Sequence, residues 1–465
     1  MASWRPHLSG RPGPAYLALA EAIAEAVAEG RLAVGDRLPP QRVLALDLGL
    51  SLSTVTRGYG EATRRGLLEG TVGRGSFVRR PGPGALAAFP VASLARPAEG
   101  PVDFANNLPC AGGAAAALAD TLRALAGAPD LGACLDRAGE REAQRAATVA
   151  GAWLERQGLT RERRSLVFTN GAQQGLHVAL MALTRPGDAI LVEALSYPAL
   201  LALAERLGLV AIPVALDGEG LRPEALAAAC RASGARVLCC MPTLQTPTAA
   251  TMGAERRAAI AEVARRYDLR VVEDDVFGFL PAPRPPPLAA FAPERTLYLT
   301  SASKCLAPGL RVGMLQAPDA LADALRAAVA LTTWMPPPLM LEIVLRWLEE
   351  GTAARLADEQ RREAGARQTL ARELLGGALA GASPAGFHLW LALPEYWSPE
   401  AFEAAASRAG VALRGAALFA VEPARRPRCV RLCLSHETSR DRVRLGLERV
   451  ARLLGQRGEE AAFVV

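Results

Sequence analysis

SASKCLAPGLRVG, residues 301–313, holds the single lysine of a 465-residue chain. Lysine and arginine together number 53, so every other one is an arginine. Arginine stays protonated in proteins. Lysine loses its proton when its surroundings lower its pKa, and the free amine is then a nucleophile able to form a Schiff base. A site that needed only charge could have used arginine, as the rest of the chain does. Lys304 is either a site of amine chemistry or a leftover surface lysine, and its neighbours decide between the two.

Working outward, residues 165–315 alternate apolar runs with helical stretches. SLVFTNGAQQGLHVAL reads as strand, glycine turn and helix, and PGDAILVEALSYP supplies the next strand. ARVLCCMPT (235–243), LRVVEDDVF (269–277) and TLYLTSASK (296–304) are further buried strands. Strands separated by helices imply an α/β fold with a mostly parallel sheet. Ligands gather beyond the carboxyl ends of such strands. Polar residues stand at those ends here. Gly171, Ala172 and Gln173 open a helix whose backbone N–H groups can cradle a phosphate. Glu273, Asp274 and Asp275 end one strand, where a buried acid is costly unless it meets a cation. Ser301, Ser303, Lys304 and Arg311 end another. Phosphate nest, buried acid, lysine and arginine form the set that pyridoxal 5'-phosphate requires.

The N-terminal 80 residues have a different character. They carry 11 arginines against 7 acids. The remaining 385 residues contribute only +2 of the chain's net +6, so the basic excess favours a polyanionic partner here. The spacing predicts a helix over 16–32, a proline-started helix ending at Gly49, and a third helix capped by Ser51 or Ser53 with Val55, Tyr59 and Ala62 facing inward. A hairpin around Gly73-Arg74-Gly75 follows. This is the order of a winged helix-turn-helix. Ser53, Thr54, Thr56 and Arg57 lie on or near the exposed start of the third helix. Arg42, Arg57 and Arg74 supply charge for duplex DNA. Residues 81–101, rich in proline and alanine, read as a linker, which leaves 102–465 as the second part. Its larger portion is expected over about 130–340 and a smaller α+β portion over about 345–465.

LPPQR, LGLSLSTVTRGY, RRGLLEG and GRGSFV, in that order, resemble the GntR-type winged helix. Leu52 departs from it, where relatives often place a polar or basic residue. FTNGAQQGLHVAL, PGDAILVEALSYP, MPTLQTPTAATM, VVEDDVFGF, SASKCLAPGLRVGM, GFHLWLALP and CVRLCLSHE resemble the fold-type I aminotransferases. The fusion resembles the MocR subfamily of GntR regulators. That resemblance implies Lys304 as the Schiff-base residue and Asp274 as partner of the ring nitrogen. It implies Tyr197 stacked on the ring, Thr246 near the phenolic oxygen, and Gly171, Ala172, Gln173, Ser301, Ser303 and Arg311 around the phosphate. Arg431 would take a substrate carboxylate. It further implies a homodimer that binds DNA and senses a small amino compound through aldimine chemistry, and the scattered cysteines fit a reducing cytoplasm.

Three positions break the pattern. Thr246 stands where an asparagine is expected, and Val276 or Phe277 where a tyrosine is. Cys134 or Leu135 replaces a phosphate-reaching tyrosine. Weak or absent turnover is therefore expected, with an active aminotransferase carrying a vestigial DNA-binding part as the alternative. The eight cysteines and four histidines are scattered, with no metal-ligand spacing. Neither a membrane span nor a signal peptide is expected.

Overall fold

The computed structural model describes residues 4–6, 8, 14–28, 31–33, 35–64, 67–71, 75–78, 99–110, 112–129, 131–136, 139–161, 164–422 and 425–456. It divides into two compact units, Met1–Ala88 and Phe89–Val465. Arg74 and most of the expected linker lie outside the described residues.

The first unit contains α1 (Ala15–Ala28), α2 (Gln41–Leu48), α3 (Leu52–Arg64) and an antiparallel hairpin of β1 (Leu68–Thr71) and β2 (Gly75–Val78). Apolar residues at helical spacing on α1 and α3 form its core. Leu19, Ile23, Leu44, Val55 and Tyr59 are buried together, with Leu68 and Val78 closing it from the hairpin. Pro40 precedes α2, and Gly49 ends it at φ 64°, a left-handed cap that glycine adopts without a Cβ penalty. Of the two serines that could cap α3, Ser51 does so: its Oγ accepts from the Thr54 N–H at 3.1 Å. Tyr59 donates to the Pro39 carbonyl at 2.8 Å and ties α3 to the start of α2.

The second unit is built on a seven-stranded sheet: β3 (Arg164–Thr169), β4 (Ala189–Glu193), β5 (Val210–Val214), β6 (Val237–Cys240), β7 (Arg270–Asp274), β8 (Thr296–Ser301) and β9 (Gly313–Pro318). The spatial order is β3-β9-β8-β7-β6-β4-β5. Only β9 runs antiparallel to its neighbours. Side-chain alternation sends the central strands into two separate cores. Ile190, Val192, Cys239 and Val272 pack with the helix Gly171–Leu183 on one face. Leu191, Leu238, Cys240 and Val271 pack with the helices Pro223–Ser233 and Ala254–Arg266 on the other. Covering both faces explains why these strands read as continuous apolar runs.

A smaller antiparallel sheet follows, with β10 (Leu379–Ala382), β11 (His388–Ala392), β12 (Arg414–Gly415) and β13 (Cys429–Cys433) in the order β10-β11-β13-β12. Leu389, Leu391, Val430 and Leu432 bury one face of it against Phe402, Val443 and Leu447. The short strand Val102–Asp103 pairs in parallel with Val411–Ala412. The start of the second unit is thereby stitched into its C-terminal layer, before the chain enters the large sheet. Among the described residues no helix is long and apolar enough to cross a membrane.

Candidate cofactor and ligand site

A cavity of about 360 Å³ opens at the carboxyl ends of β7 and β8. Its wall includes Ala172, Gln173, Tyr197, Thr246, Asp274, Ser301, Ser303, Lys304, Arg311 and Arg431. The structure thus brings together, from segments more than 250 residues apart, the side chains singled out by sequence. Gly171 is buried next to Ala172 at the helix start and is not itself part of the wall.

Three turns meet at one end of the cavity. The helix Gly171–Leu183 begins where β3 ends, so its first N–H groups have no intrahelical partner and point outward. Ser301 caps the short turn that carries the lysine, its Oγ accepting from the Ser303 N–H at 3.1 Å. Arg311 donates to Ser303 Oγ at 3.4 Å and to the Asn170 carbonyl at 3.3 Å, which places its guanidinium beside the helix start. Gly171 has φ 76°, a left-handed conformation that residues with a side chain rarely adopt, and a Cβ there would stand 2.9 Å from Arg311 Nη2 and push the guanidinium aside.

Alternation along β7 sorts the three consecutive acids. Glu273 and Asp275 face away from the cavity and have charged or hydrogen-bonding partners there, although Asp275 Oδ1 itself makes no hydrogen bond. Glu273 accepts from the Leu288 and Ala289 N–H groups at 2.7 and 2.8 Å. Asp275 is paired with Arg284 and accepts from the Tyr298 hydroxyl at 2.9 Å. Asp274 alone turns to the cavity, and its Oδ1 is buried without a hydrogen-bond partner. Burial, and then the neighbouring Asp275 charge, push its pKa up to about 7. A buried acid in this state needs a cation, and a protonated pyridine nitrogen is one.

Lys304 lies opposite, its amine donating to the Asn107 carbonyl. Burial, with added repulsion from Arg431 and Arg311, lowers its pKa to about 8. That value makes a neutral amine accessible near physiological pH. Tyr197 presents its ring to the cavity, and burial raises its hydroxyl to about 12, so it stays protonated. Arg431, on β13, donates to the Ala105 carbonyl at 2.6 Å and lies over the Phe419 ring at 4.8 Å.

Thr246 reaches the cavity while its neighbour Gln245 is consumed by structure, donating to Glu193 at 3.1 Å and to the Leu195 carbonyl at 2.6 Å. Val276 and Phe277 both line the wall, and neither carries a donor. Phe277 packs edge-on against Phe387 at 5.9 Å. Cys134 and Leu135 are not part of the wall, and Leu135 is 86% exposed. Two residues absent from the sequence reading belong to the site: Asn107, on the wall, and His388, fully buried behind it. No local motif marks either one. In the first unit, Arg42, Ser53, Thr56 and Arg57 are exposed and Thr54 is half-buried, with Arg57 stacked over Tyr16 at 4.1 Å. Thr56 donates to Gln41 at 2.8 Å.

Residues 101–450 match the family model "Aminotransferase class I and II", and residues 15–78 match "Bacterial regulatory proteins, gntR family". The chain belongs to the aminotransferase class I and II family, whose cofactor is pyridoxal 5'-phosphate. More particularly, its gntR-type helix-turn-helix ahead of that part gives it the composite make-up of the MocR-type regulators. It is 29% identical to the uncharacterised HTH-type transcriptional regulator YdeF of Bacillus subtilis over 97% of each chain. It is 28% identical to the vitamin B6 salvage pathway transcriptional repressor PtsJ of Salmonella typhimurium, over 83% of this chain and 87% of that one. The α-aminoadipate aminotransferase LysN of Thermus thermophilus, solved with N-(5'-phosphopyridoxyl)-L-leucine, superimposes with a TM-score of 0.66. That match has 26% identity and covers 82% of this chain and 99% of LysN. The partnerless Asp274 oxygen and the cradle that a Cβ at residue 171 would block fit such a phosphopyridoxyl group.

Proposed function

We propose that this protein is a cytoplasmic transcription regulator that binds duplex DNA through its winged helix and senses a small amino compound in the aminotransferase-like unit. One observation carries the reading. Lys304, Asp274, Ser301, Ser303 and Arg311 line one cavity, as holding pyridoxal phosphate requires, while Thr246 and Phe277 stand on its wall in place of the asparagine and tyrosine expected to help turnover. Lys304 would carry the cofactor, and Asp274 would hold a proton on its ring nitrogen. The N–H groups of residues 171–173, with Ser301, Ser303 and Arg311, would take the phosphate. When bound, the cofactor supplies an electrophilic carbon and an electron-withdrawing ring. Arg431 offers its guanidinium to a carboxylate, in exchange for the Ala105 carbonyl. The Asn107 carbonyl, which receives the free Lys304 amine, would take up that amine again when a ligand amine replaced it on the cofactor. With no donor at residue 277, a captured ligand is retained more readily than it is converted. The exposed Leu331 and Trp334 support a homodimer, since large apolar side chains at the surface favour a partner.

The test is a DNA-binding titration of the full chain, with and without pyridoxal phosphate and a panel of amino acids, repeated with Lys304→Ala and Arg431→Ala. A ligand effect of about 5- to 150-fold, the usual range of coupling between sites, is expected in wild type and should be lost in both variants. Turnover at ordinary enzyme rates of about 1 to 1,000 per second would replace this reading with an active aminotransferase.

A further inference from the structure

Arg431 and Lys304 recognise a carboxylate and an amine, which every amino acid has. Telling one amino compound from another needs a further contact. His388 and Asn107 supply the geometry for it. His388 Nε2 lies 3.0 Å from the Gln245 carbonyl, which can only accept, so Nε2 carries the proton. The ring is fully buried, and burial together with the Arg431 charge holds its pKa down to about 3, so it is neutral. Nδ1 is then an acceptor. It lies 3.1 Å from the Asn107 side chain, which must turn its NH₂ toward the ring. The orientation of the amide follows from this chain of donors. Asn107 Oδ1 points away from His388, buried and without a partner, in a residue that lines the cavity. The Asn107 main-chain carbonyl receives Lys304, and Ala105, two residues earlier, receives Arg431. The orphan acceptor thus belongs to the residue whose main chain receives Lys304, two positions from the one that receives Arg431. A ligand whose donor pairs this acceptor gains a hydrogen bond that a ligand without a donor does not.

We propose that Asn107 is a specificity-determining residue. Its side-chain oxygen accepts a hydrogen bond from a donor on the bound amino compound, such as a hydroxyl or an amide N–H, and His388 is its positioning residue. The inference rests on the amino-compound reading above, and selects within that class the ligands whose side chain ends in a donor.

The test uses two isosteric pairs: L-serine with L-2-aminobutyrate, and L-homoserine with L-norvaline. Dissociation constants are measured on the full chain loaded with pyridoxal phosphate. In wild type the hydroxyl member of at least one pair should bind about tenfold more tightly, the effect of one hydrogen bond. Asn107→Leu should bring that ratio to about one. His388→Leu frees the amide to turn and should reduce the ratio part-way, which a purely structural role would not do, since both members of a pair would suffer alike. If Asn107→Leu fails to take up cofactor, Asn107→Ala, which cannot crowd the cavity, gives the same reading. A wild type without preference, or a preference that survives loss of the Asn107 amide, overturns the assignment. If none of the four amino acids binds, the amino-compound reading itself fails and this inference falls with it.

Discussion

The Arg311 guanidinium lies 2.9 Å from the point where a Cβ on Gly171 would stand. The two residues are 140 positions apart, yet a side chain on one would displace the other. Gly171→Ala places a methyl against Arg311 and asks for φ 76° from a residue with a side chain. Strain of roughly 1–3 kcal/mol is expected at such a position. Cofactor affinity, read by fluorescence quenching during titration, should fall by more than global stability to urea does, because the displaced groups face the cavity.

Lys304→Arg keeps a cation but removes the amine chemistry. Borohydride should fix the cofactor to the peptide containing Lys304 in wild type and to no peptide in the variant, as read by mass spectrometry. A fixed adduct in Lys304→Arg would refute the assignment.

The same lysine makes cofactor-free stability depend on pH in a definite direction. Its folded pKa of about 8 lies below the ordinary 10.5, so the unfolded chain holds the proton more firmly. The fold is penalised below pH 8, and the penalty fades as pH rises from 8 to 10.5. Lys304→Met should therefore be more stable than wild type to urea at pH 7, by up to about 3 kcal/mol. The gap should close toward pH 10.5. An equal gap at both ends would contradict the burial of this amine.

Asp274 and Asp275 are adjacent but should behave oppositely. Asp275→Asn strips the charge from the Arg284 partner in a buried pair and should cost about 3–5 kcal/mol of stability. Asp274→Asn removes a carboxylate whose charged form burial and Asp275 disfavour, so stability should hold or rise, while cofactor affinity falls. Urea melts and cofactor titrations of the two variants, run side by side, distinguish the roles.

In the first unit, Arg57 is exposed on α3 and stacked on Tyr16, which holds its charge at the surface. Binding of the full chain to duplex DNA should weaken with salt at a slope near −0.9 per neutralised phosphate. Arg42→Ala and Arg57→Ala should each reduce that slope by about one phosphate's worth. A salt-independent interaction would count against a phosphate-led interface.

Much of this site was legible because its chemistry is local. SxSK, the glycine turn at 171 and the acids after VV each pair a residue type with a strand end. Choosing Asp274 over Glu273 and Asp275 came from the resemblance, and side-chain alternation along β7 gives the physical reason. Asn107 and His388 were not legible. They lie 281 residues apart, neither belongs to a periodic pattern, and their meaning depends on which nitrogen carries a proton. Ser51 rather than Ser53 as the cap of α3 was open for a simpler reason: both residues can cap, and only the position of the first helical turn decides.

The solitary lysine also gives the molecule an unusual digestion map. A protease that cuts after lysine has one bond to cleave in the denatured chain, between Lys304 and Cys305, giving fragments of 304 and 161 residues. Anything left covalently on Nζ blocks that bond and keeps the polypeptide in one piece. A single gel lane of reduced, denatured and digested material thus reports the fraction of molecules whose amine was occupied at the moment of trapping.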